Sequence, residues 1–294
     1  MPNKQIGIVG EVLFDQFPDG KRILGGAPFN VAWHLQAFGQ QPCFISRVGD
    51  DAQGAGIRAA MQAWGMDTGH LQTDTEHPTG TVNVAINNGE PSYDILDQQA
   101  YDFIAAGQFM EQRYSIIYHG TLALRHRQSS CALSALKNRH TGKVFVDVNL
   151  RAPWWHIDTV GQWLSNADWL KLNDDELLQL APPHNNLKAS MCWLLEHYQP
   201  EALVVTCGSQ GALALTGSGE FTETAPAEGL AVTDTVGAGD AFAAVLLLGI
   251  QQGWSLRLTM DRAQEFASAL VTQQGATVHD MRFYQPFIAD WHLL

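Results

Sequence analysis

Two short segments of this chain combine residue types that phosphate and alcohol chemistry require. The run Asp234-Thr235-Val236-Gly237-Ala238-Gly239-Asp240 stands immediately before an apolar stretch, Ala241-Phe242-Ala243-Ala244-Val245-Leu246-Leu247-Leu248. Small residues let the backbone turn tightly and aim several N–H groups at one point. A helix starting there adds its positive end, so the natural guest is an anion, most simply a phosphate. A carboxylate inside such a site repels the guest unless it is placed to accept a proton, which gives Asp240 the part of general base toward a phosphoryl acceptor. The same residues also suit an ordinary helix start with Asp in its first turn, and the segment alone leaves both readings open.

The second segment, Gly25-Gly26-Ala27-Pro28-Phe29-Asn30, opens another helical pattern at Val31. Its glycines allow close backbone approach to a ligand, and Asn30 offers both a donor and an acceptor, which suits sugar hydroxyls; a plain helix cap is the competing reading. Several other chemistries are excluded. There is no G-x-x-x-x-G-K-[ST], no H-E-x-x-H and no G-x-S-x-G, and the first strand is followed by Gly10-Glu11-Val12-Leu13-Phe14-Asp15 in place of a dinucleotide fingerprint.

These segments need elements to hold them. Short apolar runs recur at QIGIVG, PCFISRVG, YSIIYHG, KVFVDVN, ADWLKLN and EALVVTCG, and read as buried parallel strands. Between them lie helical faces such as Val31, Leu35 and Phe38, then Ile57, Ala60, Met61 and Trp64, so strand and helix alternate and the sheet is covered on both sides. Residues 68–100 break that rhythm: Thr81–Ile86, a turn at Asn87-Asn88-Gly89-Glu90 and Ser92–Ile95 predict a hairpin. Val12–Phe17, a turn at Pro18-Asp19-Gly20 and Lys21–Leu24 predict a second. Two such ribbons, at about 11–24 and 68–100, would pair into a small separate sheet, a lid over the strand ends, inserted in one domain spanning 1–294. Long helices at about 238–252 and 255–274 close the core.

The composition agrees with one large α/β domain. Of 294 residues, 46% are apolar and 16% charged, which excludes disorder, and the chain is long enough to bury a core without staples. Asp and Glu outnumber Lys and Arg by 30 to 17, a net charge of -13 spread along the chain, which argues against nucleic acid and anionic membrane as partners. Cys43, Cys131, Cys192 and Cys207 are widely spaced and read as buried, reduced thiols. The opening MPNKQIGIVGEVLFD lacks a charged leader followed by a long apolar stretch, and no 18-residue apolar run occurs, so the expectation is a cytoplasmic protein.

At its two glycine segments the sequence resembles the ribokinase/PfkB family of sugar and nucleoside kinases. The first signature is Gly25 to Ala32 with Gly39 and Gly49 at the family's spacing, and the second is Asp234 to Asp240. Connecting motifs also match: Asp147-Val148-Asn149-Leu150-Arg151 with Trp154-Trp155, Asn173-Asp174-Asp175-Glu176 for N-x-x-E, and Thr206-Cys207-Gly208-Ser209-Gln210-Gly211 for T-x-G-x-x-G. The resemblance implies a three-layer α/β/α sandwich of ribokinase-like fold with a β lid, ATP as donor, and in-line transfer of the γ-phosphoryl to a primary alcohol. It assigns Asp240 as base and the N–H groups of Gly237, Ala238 and Gly239 as the cradle for developing charge. Asp15, Gly26 and Asn30 would hold the sugar. Asn173 and Glu176 would organise Mg²⁺ and its waters, Thr206, Gly208 and Gly211 would line the nucleotide side, and Asp234 with Thr235 matches members that hold K⁺. One departure is Val245, where the family usually has a small residue; helix packing accounts for it.

Two charge arguments complete the reading. No Lys or Arg occurs between Lys188 and Arg257, the stretch that would wrap a nucleotide, so Arg151 at the end of its strand is the candidate phosphate clamp. Nor does any occur between Arg58 and Arg113, whereas Asp74, Glu76, Glu90, Asp94 and Asp97 do. A neutral sugar is therefore favoured over a phosphosugar or sugar acid, and the Gly10–Asp15 segment looks most like fructokinases. Ribokinase or 2-keto-3-deoxygluconate kinase chemistry is the alternative, and a non-catalytic sensor on the same fold is a third reading. The exposed face of a small lid sheet would suit cover by a partner subunit, so a homodimer is the expectation. Tyr93 and Phe29 are read as core aromatics that could instead pack on a sugar, and His119 as a satisfied structural histidine.

Overall fold

Each apolar run becomes a strand of one twisted sheet, and the alternation of side chains along it sorts the helices into two layers. The computed structural model describes residues 5–87, 90–227 and 229–293. The strands expected from the sequence are β1 (Ile6–Val9), β4 (Cys43–Gly49), β8 (Ile116–His119), β9 (Lys143–Asp147), β10 (Trp169–Asn173) and β11 (Ala202–Thr206). The sheet adds β5 (Leu71–Asp74) on one side and the antiparallel pair β12 (Ala212–Thr216) and β13 (Phe221–Thr224) on the other, in the order β13-β12-β11-β10-β9-β8-β1-β4-β5. Through β11 the pairing is parallel, and the two wings diverge at β1 and β8, the kind of switch point where open α/β sheets bind ligands beyond their strand ends.

On one face Ile6, Ile8, Phe145 and Val204 join a core with α1 (Ala27–Ala37), α2 (Ala52–Ala63), α7 (Ala238–Gln252) and α8 (Leu256–Leu270). On the other, Val144, Val146, Leu170, Leu172, Leu203 and Val205 pack with α4 (Ile157–Leu164), α5 (Asp174–Leu180) and α6 (Leu187–Tyr198), while Val9 and Ile117 pack with α3 (Arg127–Lys137). This is the expected three-layer sandwich. Helix α7 is buried from Ala241 through Gly249, as its all-apolar sequence requires, and Val245 is wholly enclosed, so its departure from the family pattern is a packing matter.

The two predicted hairpins form: β2 (Leu13–Gln16) with β3 (Arg22–Gly25), and β6 (Gly80–Asn87) with β7 (Glu90–Ile95). They join through β2 and β6 into a separate sheet of order β3-β2-β6-β7. Asn88 and Gly89 of the predicted turn lie outside the described residues. The register puts Leu13, Asp15, Ile23, Val82, Val84, Tyr93 and Ile95 on one face. Leu13, Val82 and Ile95 pack on Tyr101, Leu122 and Ala123 of the main body.

Some expectations are corrected. Residues 71–74 belong to the large sheet, because β5 pairs with β4, so the second part of the small sheet begins at Gly80. The helix α8 stops at Leu270, and a further helix, α9 (Met281–Asp290), packs Tyr284 into the core. Cys131 is exposed, unlike the buried thiol of Cys43. No helix among the described residues is long and apolar enough to cross a membrane.

Candidate active site

The residues singled out in the sequence gather beyond the carboxyl ends of the parallel strands. Asp147 ends β9, Asn173 ends β10, Thr206 ends β11, and Glu11 follows β1 into the small sheet. Helix α7 begins among them. Gly237 caps it at φ 81, a left-handed conformation, and a Cβ there would stand 2.4 Å from Cβ of Ala276, so only glycine fits. The N–H groups of Gly237, Gly239 and Asp240 have no acceptor among the described residues, whereas that of Ala238 turns back to Thr235 O at 3.3 Å. Of the three amides expected to cradle an anion, those of the two glycines are therefore left open and that of Ala238 is not. The third open amide is Asp240's own.

Asp240 and Asn30 are 210 residues apart in sequence and touch: Asn30 Nδ2 donates to Asp240 Oδ2 at 2.7 Å. Asn30 is buried in the first turn of α1, held by that helix's packing on α7. Burial pushes the Asp240 carboxyl up to about 6; the Asn30 bond and the charges of Lys171 and Arg151 pull it down, and Asp147 pushes it up. A carboxylate tuned to that range can take a proton near neutral pH. Asn30 does not cap α1, whose cap is Gly26, and bonds instead to Asp240, which stands in the first turn of α7.

The small sheet brings Asp15 to the same place. Burial pushes its carboxyl up to about 6, and Arg151 opposes that shift. Arg151 acts electrostatically on Glu11, Asp15, Tyr93 and Asp240, which sets its guanidinium between the small sheet and the start of α7. Its guanidinium is exposed and donates only to Leu150 O at 3.2 Å and Asn149 Oδ1 at 3.5 Å. Tyr93, read as a core aromatic, is 53% exposed on the face it shares with Asp15. Phe29 is core. Gly26 caps α1 at φ 111 with its Cα against the Glu11 carbonyl, where a Cβ would come within 2.7 Å, so it joins the small-sheet root to α1.

The acidic character ascribed to the lid is narrower than its sequence suggests. Asp74 is buried in β5 and bridged to Arg47 at 2.7 Å, Asp97 pairs with His126 at 2.8 Å, and Asp94 lies on the opposite face, across from Asn83. Asp15 is the carboxylate that faces the cleft.

At the start of α5, Asn173 and Glu176 form a reciprocal cap. Asn173 Oδ1 accepts from Glu176 N at 2.8 Å, and Glu176 Oε2 accepts from Asn173 N at 2.9 Å. Glu176 Oε1 accepts from Leu150 N at 2.7 Å. With both oxygens so held, Glu176 fits contact to a metal through water, and no cluster of three candidate ligands surrounds it among the described residues. The cluster that does occur, Asp97, Asp102 and His126, has Asp102 already ion-paired to Arg125 at 2.7 Å. Gly208 and Gly211 take positive φ in the turn after β11, and Thr206 Oγ1 donates weakly to Leu172 O at 3.5 Å. Asp234 braces the anion loop, accepting from Val236 N and Gly275 N, both at 3.0 Å.

Sequence reasoning missed the floor of this site. Lys171 is buried in β10 and donates to both carboxylate oxygens of Asp147 at 3.0 Å, and Tyr118 OH donates to the same carboxylate at 3.2 Å. The signal was a lysine in the apolar run ADWLKLN and an aspartate at the same strand depth in KVFVDVN, which cannot be buried apart. His119 is buried as expected, with Nδ1 on Gly120 O at 2.9 Å and burial pushing it down to about 3, but its Nε2 has no partner.

Comparison with known proteins finds relatives over nearly the whole chain. The model of the pfkB family carbohydrate kinases matches residues 6–281. A fructokinase of Salmonella typhimurium is 30% identical over 302 residues, covering 93% of this chain and 95% of the relative. An aminoimidazole riboside kinase of the same species is 28% identical over 292 residues, covering 92% and 90%. Among solved structures, a fructokinase of Vibrio cholerae with fructose, ADP and calcium bound superposes with a TM-score of 0.80 at 24% identity, covering 96% of this chain and 98% of that one.

Proposed function

Because this chain belongs to the pfkB family of carbohydrate kinases, we propose that it transfers the γ-phosphoryl group of ATP to a hydroxymethyl group of fructose. One observation carries the reading: the Asn30–Asp240 contact joins the sugar-type motif of α1 to the anion-type motif of α7 in one cleft. Asn30 and Asp15 orient the sugar so that its hydroxymethyl oxygen meets Asp240. Asp240 takes the hydroxyl proton as that oxygen bonds to the γ-phosphorus and the bond to the β–γ bridging oxygen breaks, releasing ADP. The open N–H groups at the start of α7 and the Arg151 guanidinium balance the charge on the phosphoryl oxygens in flight. Mg²⁺ bound to ATP would offset phosphate charge, with Glu176 and Asn173 accepting from or ordering its waters. Thr206, Gly208 and Gly211 line the adenosine side, and K⁺ binds beside the loop that Asp234 braces.

Fructose is preferred because Asp15, on the inward face of the small sheet, accepts hydroxyl hydrogens, while a phosphosugar would have to rely on Arg151 or on Lys21 reaching in. A riboside acceptor is the second reading, favoured by the 28% identical aminoimidazole riboside kinase. The test is ADP release from Mg-ATP with D-fructose, D-ribose, aminoimidazole riboside, 2-keto-3-deoxygluconate and fructose 6-phosphate, alongside Asp240→Asn. Selective turnover of fructose, lost in the variant, supports the proposal, and selective turnover of a riboside moves the substrate while keeping the chemistry. Activation by KCl over NaCl tests the cation, and sedimentation tests a homodimer in which a partner subunit covers the exposed face of the small sheet.

A further inference from the structure

The buried Lys171–Asp147 pair has no part in the proposal above, yet it lies directly beneath the reacting groups. A Cβ added to Gly239 would stand 3.2 Å from Lys171 Nζ, so the ammonium packs against the backbone of the first turn of α7, one residue before Asp240. Two of its protons are directed at Asp147, whose carboxylate is fixed in turn by Tyr118 OH. With both carboxylate oxygens of Asp147 at 3.0 Å, Lys171 is the cation of a buried ion pair.

We propose that Lys171 is a positioning residue for phosphoryl transfer: fixed beneath Gly239 by Asp147, its ammonium keeps the base carboxylate ionised and makes the open amides of the loop more attractive to a phosphoryl oxygen. The geometry explains why a charged residue stands in a buried strand. It also explains a glycine at 239, since a side chain there would press on the ammonium. The pair is not electrostatically silent at Asp240. The pull of Lys171 on that carboxyl outranks the push of Asp147, with Arg151 adding to the pull. Glu11 and Tyr118 are the other titratable groups coupled to Asp240.

The inference rests on Asp240 being the base, and the test separates the two claims. In the full-length enzyme, the acid limb of the kcat/KM pH profile is recorded for wild type, Lys171→Met, Asp147→Asn and Asp240→Asn, with melting temperatures in parallel. Loss of Lys171 removes a charge that favours ionised Asp240, so the limb moves to higher pH and kcat falls at least tenfold, with KM for the sugar within about threefold of wild type. Loss of Asp147 removes a charge that opposes ionisation, so the limb moves to lower pH. Shifts of opposite sign are the signature, since a purely structural pair would lower activity in both variants without moving the limb in opposite directions. Unmoved limbs, or shifts of the same sign, overturn the role of Lys171. If Lys171→Met does not fold, the direction of the Asp147→Asn shift decides alone. A limb that persists unchanged in the residual activity of Asp240→Asn overturns the base assignment instead.

Discussion

The floor of the cleft and its small-sheet wall are built on different terms. On the floor nearly every polar side chain is partnered before any ligand arrives: Asp240 with Asn30, Lys171 and Tyr118 with Asp147, Glu176 with two backbone amides, Asp234 with two more. On the wall, among the described residues, the Asp15 carboxylate has no hydrogen-bond partner, Tyr93 is exposed, and the Arg151 guanidinium donates only within its own loop. Groups that act on charge in transit gain from being fixed in advance, since no reorganisation is then needed at the moment of reaction. Groups that recognise an acceptor can be completed by it, and a closing wall also excludes water that would otherwise compete for the phosphoryl group.

The sharpest way to break that contrast is at Asp240. Asp240→Asn keeps the shape of the floor and removes its proton acceptor, so kcat should fall by about 10²- to 10⁴-fold, the usual scale for a positioned general base, while sugar affinity measured by calorimetry changes little. A kcat within tenfold of wild type would mean that the floor is scaffolding only.

The root of the wall should respond in stability instead. Arg125 donates to both oxygens of Asp102 at 2.7 Å and to Leu96 O at 2.6 Å, and its guanidinium stacks 4.2 Å over Trp154, whose Nε1 donates to Ile95 O. Both backbone acceptors stand where β7 leaves the small sheet. Arg125→Ala strands a buried carboxylate and should cost about 3 kcal/mol in denaturant unfolding. A loss under about 1 kcal/mol would show that the small sheet is anchored elsewhere.

Further out on the wall, Asp15→Ala removes the hydrogen-bond acceptor proposed for the sugar, a type of contact worth about 1.5–3 kcal/mol when the carboxylate is charged. KM for the sugar should rise about 10- to 100-fold, with KM for ATP unchanged and kcat at saturation largely retained. Equal effects on both substrates would place Asp15 outside the acceptor site.

The sequence made the scaffold and the two glycine segments legible because both are local. Apolar runs of four to seven residues bounded by glycine become strands, and small residues before an apolar run become an anion-type helix start. The Asn-Gly turn marked one hairpin. What escaped detection was non-local. Lys171 in a buried strand makes sense only once β9 and β10 are seen as neighbours, and Asp74 looked like lid charge until β5 paired with β4 and Arg47 took it up. Asn30 and Asp240 were each found from their own segments, but their contact was not, because it depends on how α1 packs against α7. The helix α9 was passed over because Pro286 interrupts its pattern.

The smallest predicted effect follows from the burial of the Asp240 carboxyl. The Asp240 carboxyl, raised by burial from 3.8 to about 6, holds a proton in the folded protein over a range where the unfolded chain has already lost it. Between those values folding takes up a proton, so this group's contribution is fully present below about pH 4 and is lost as pH rises through 6. Glu11, raised to about 7, and Asp15, raised to about 6, act in the same direction. These three carboxyls favour the lower pH, whereas buried His34, held down to about 4, and His119, held down to about 3, favour the higher, so the carboxyl effect is read from a variant's difference from wild type and not from the wild-type profile. Asn at 240 carries no charge to desolvate, so Asp240→Asn should be more stable than wild type by about 1–2 kcal/mol at pH 7.5 and indistinguishable from it near pH 4.5. Urea unfolding at the two pH values measures this directly. A variant equally destabilised at both would mean that the Asn30–Asp240 bond outweighs the cost of the buried charge, and the floor would then be a device of stability as well as of chemistry.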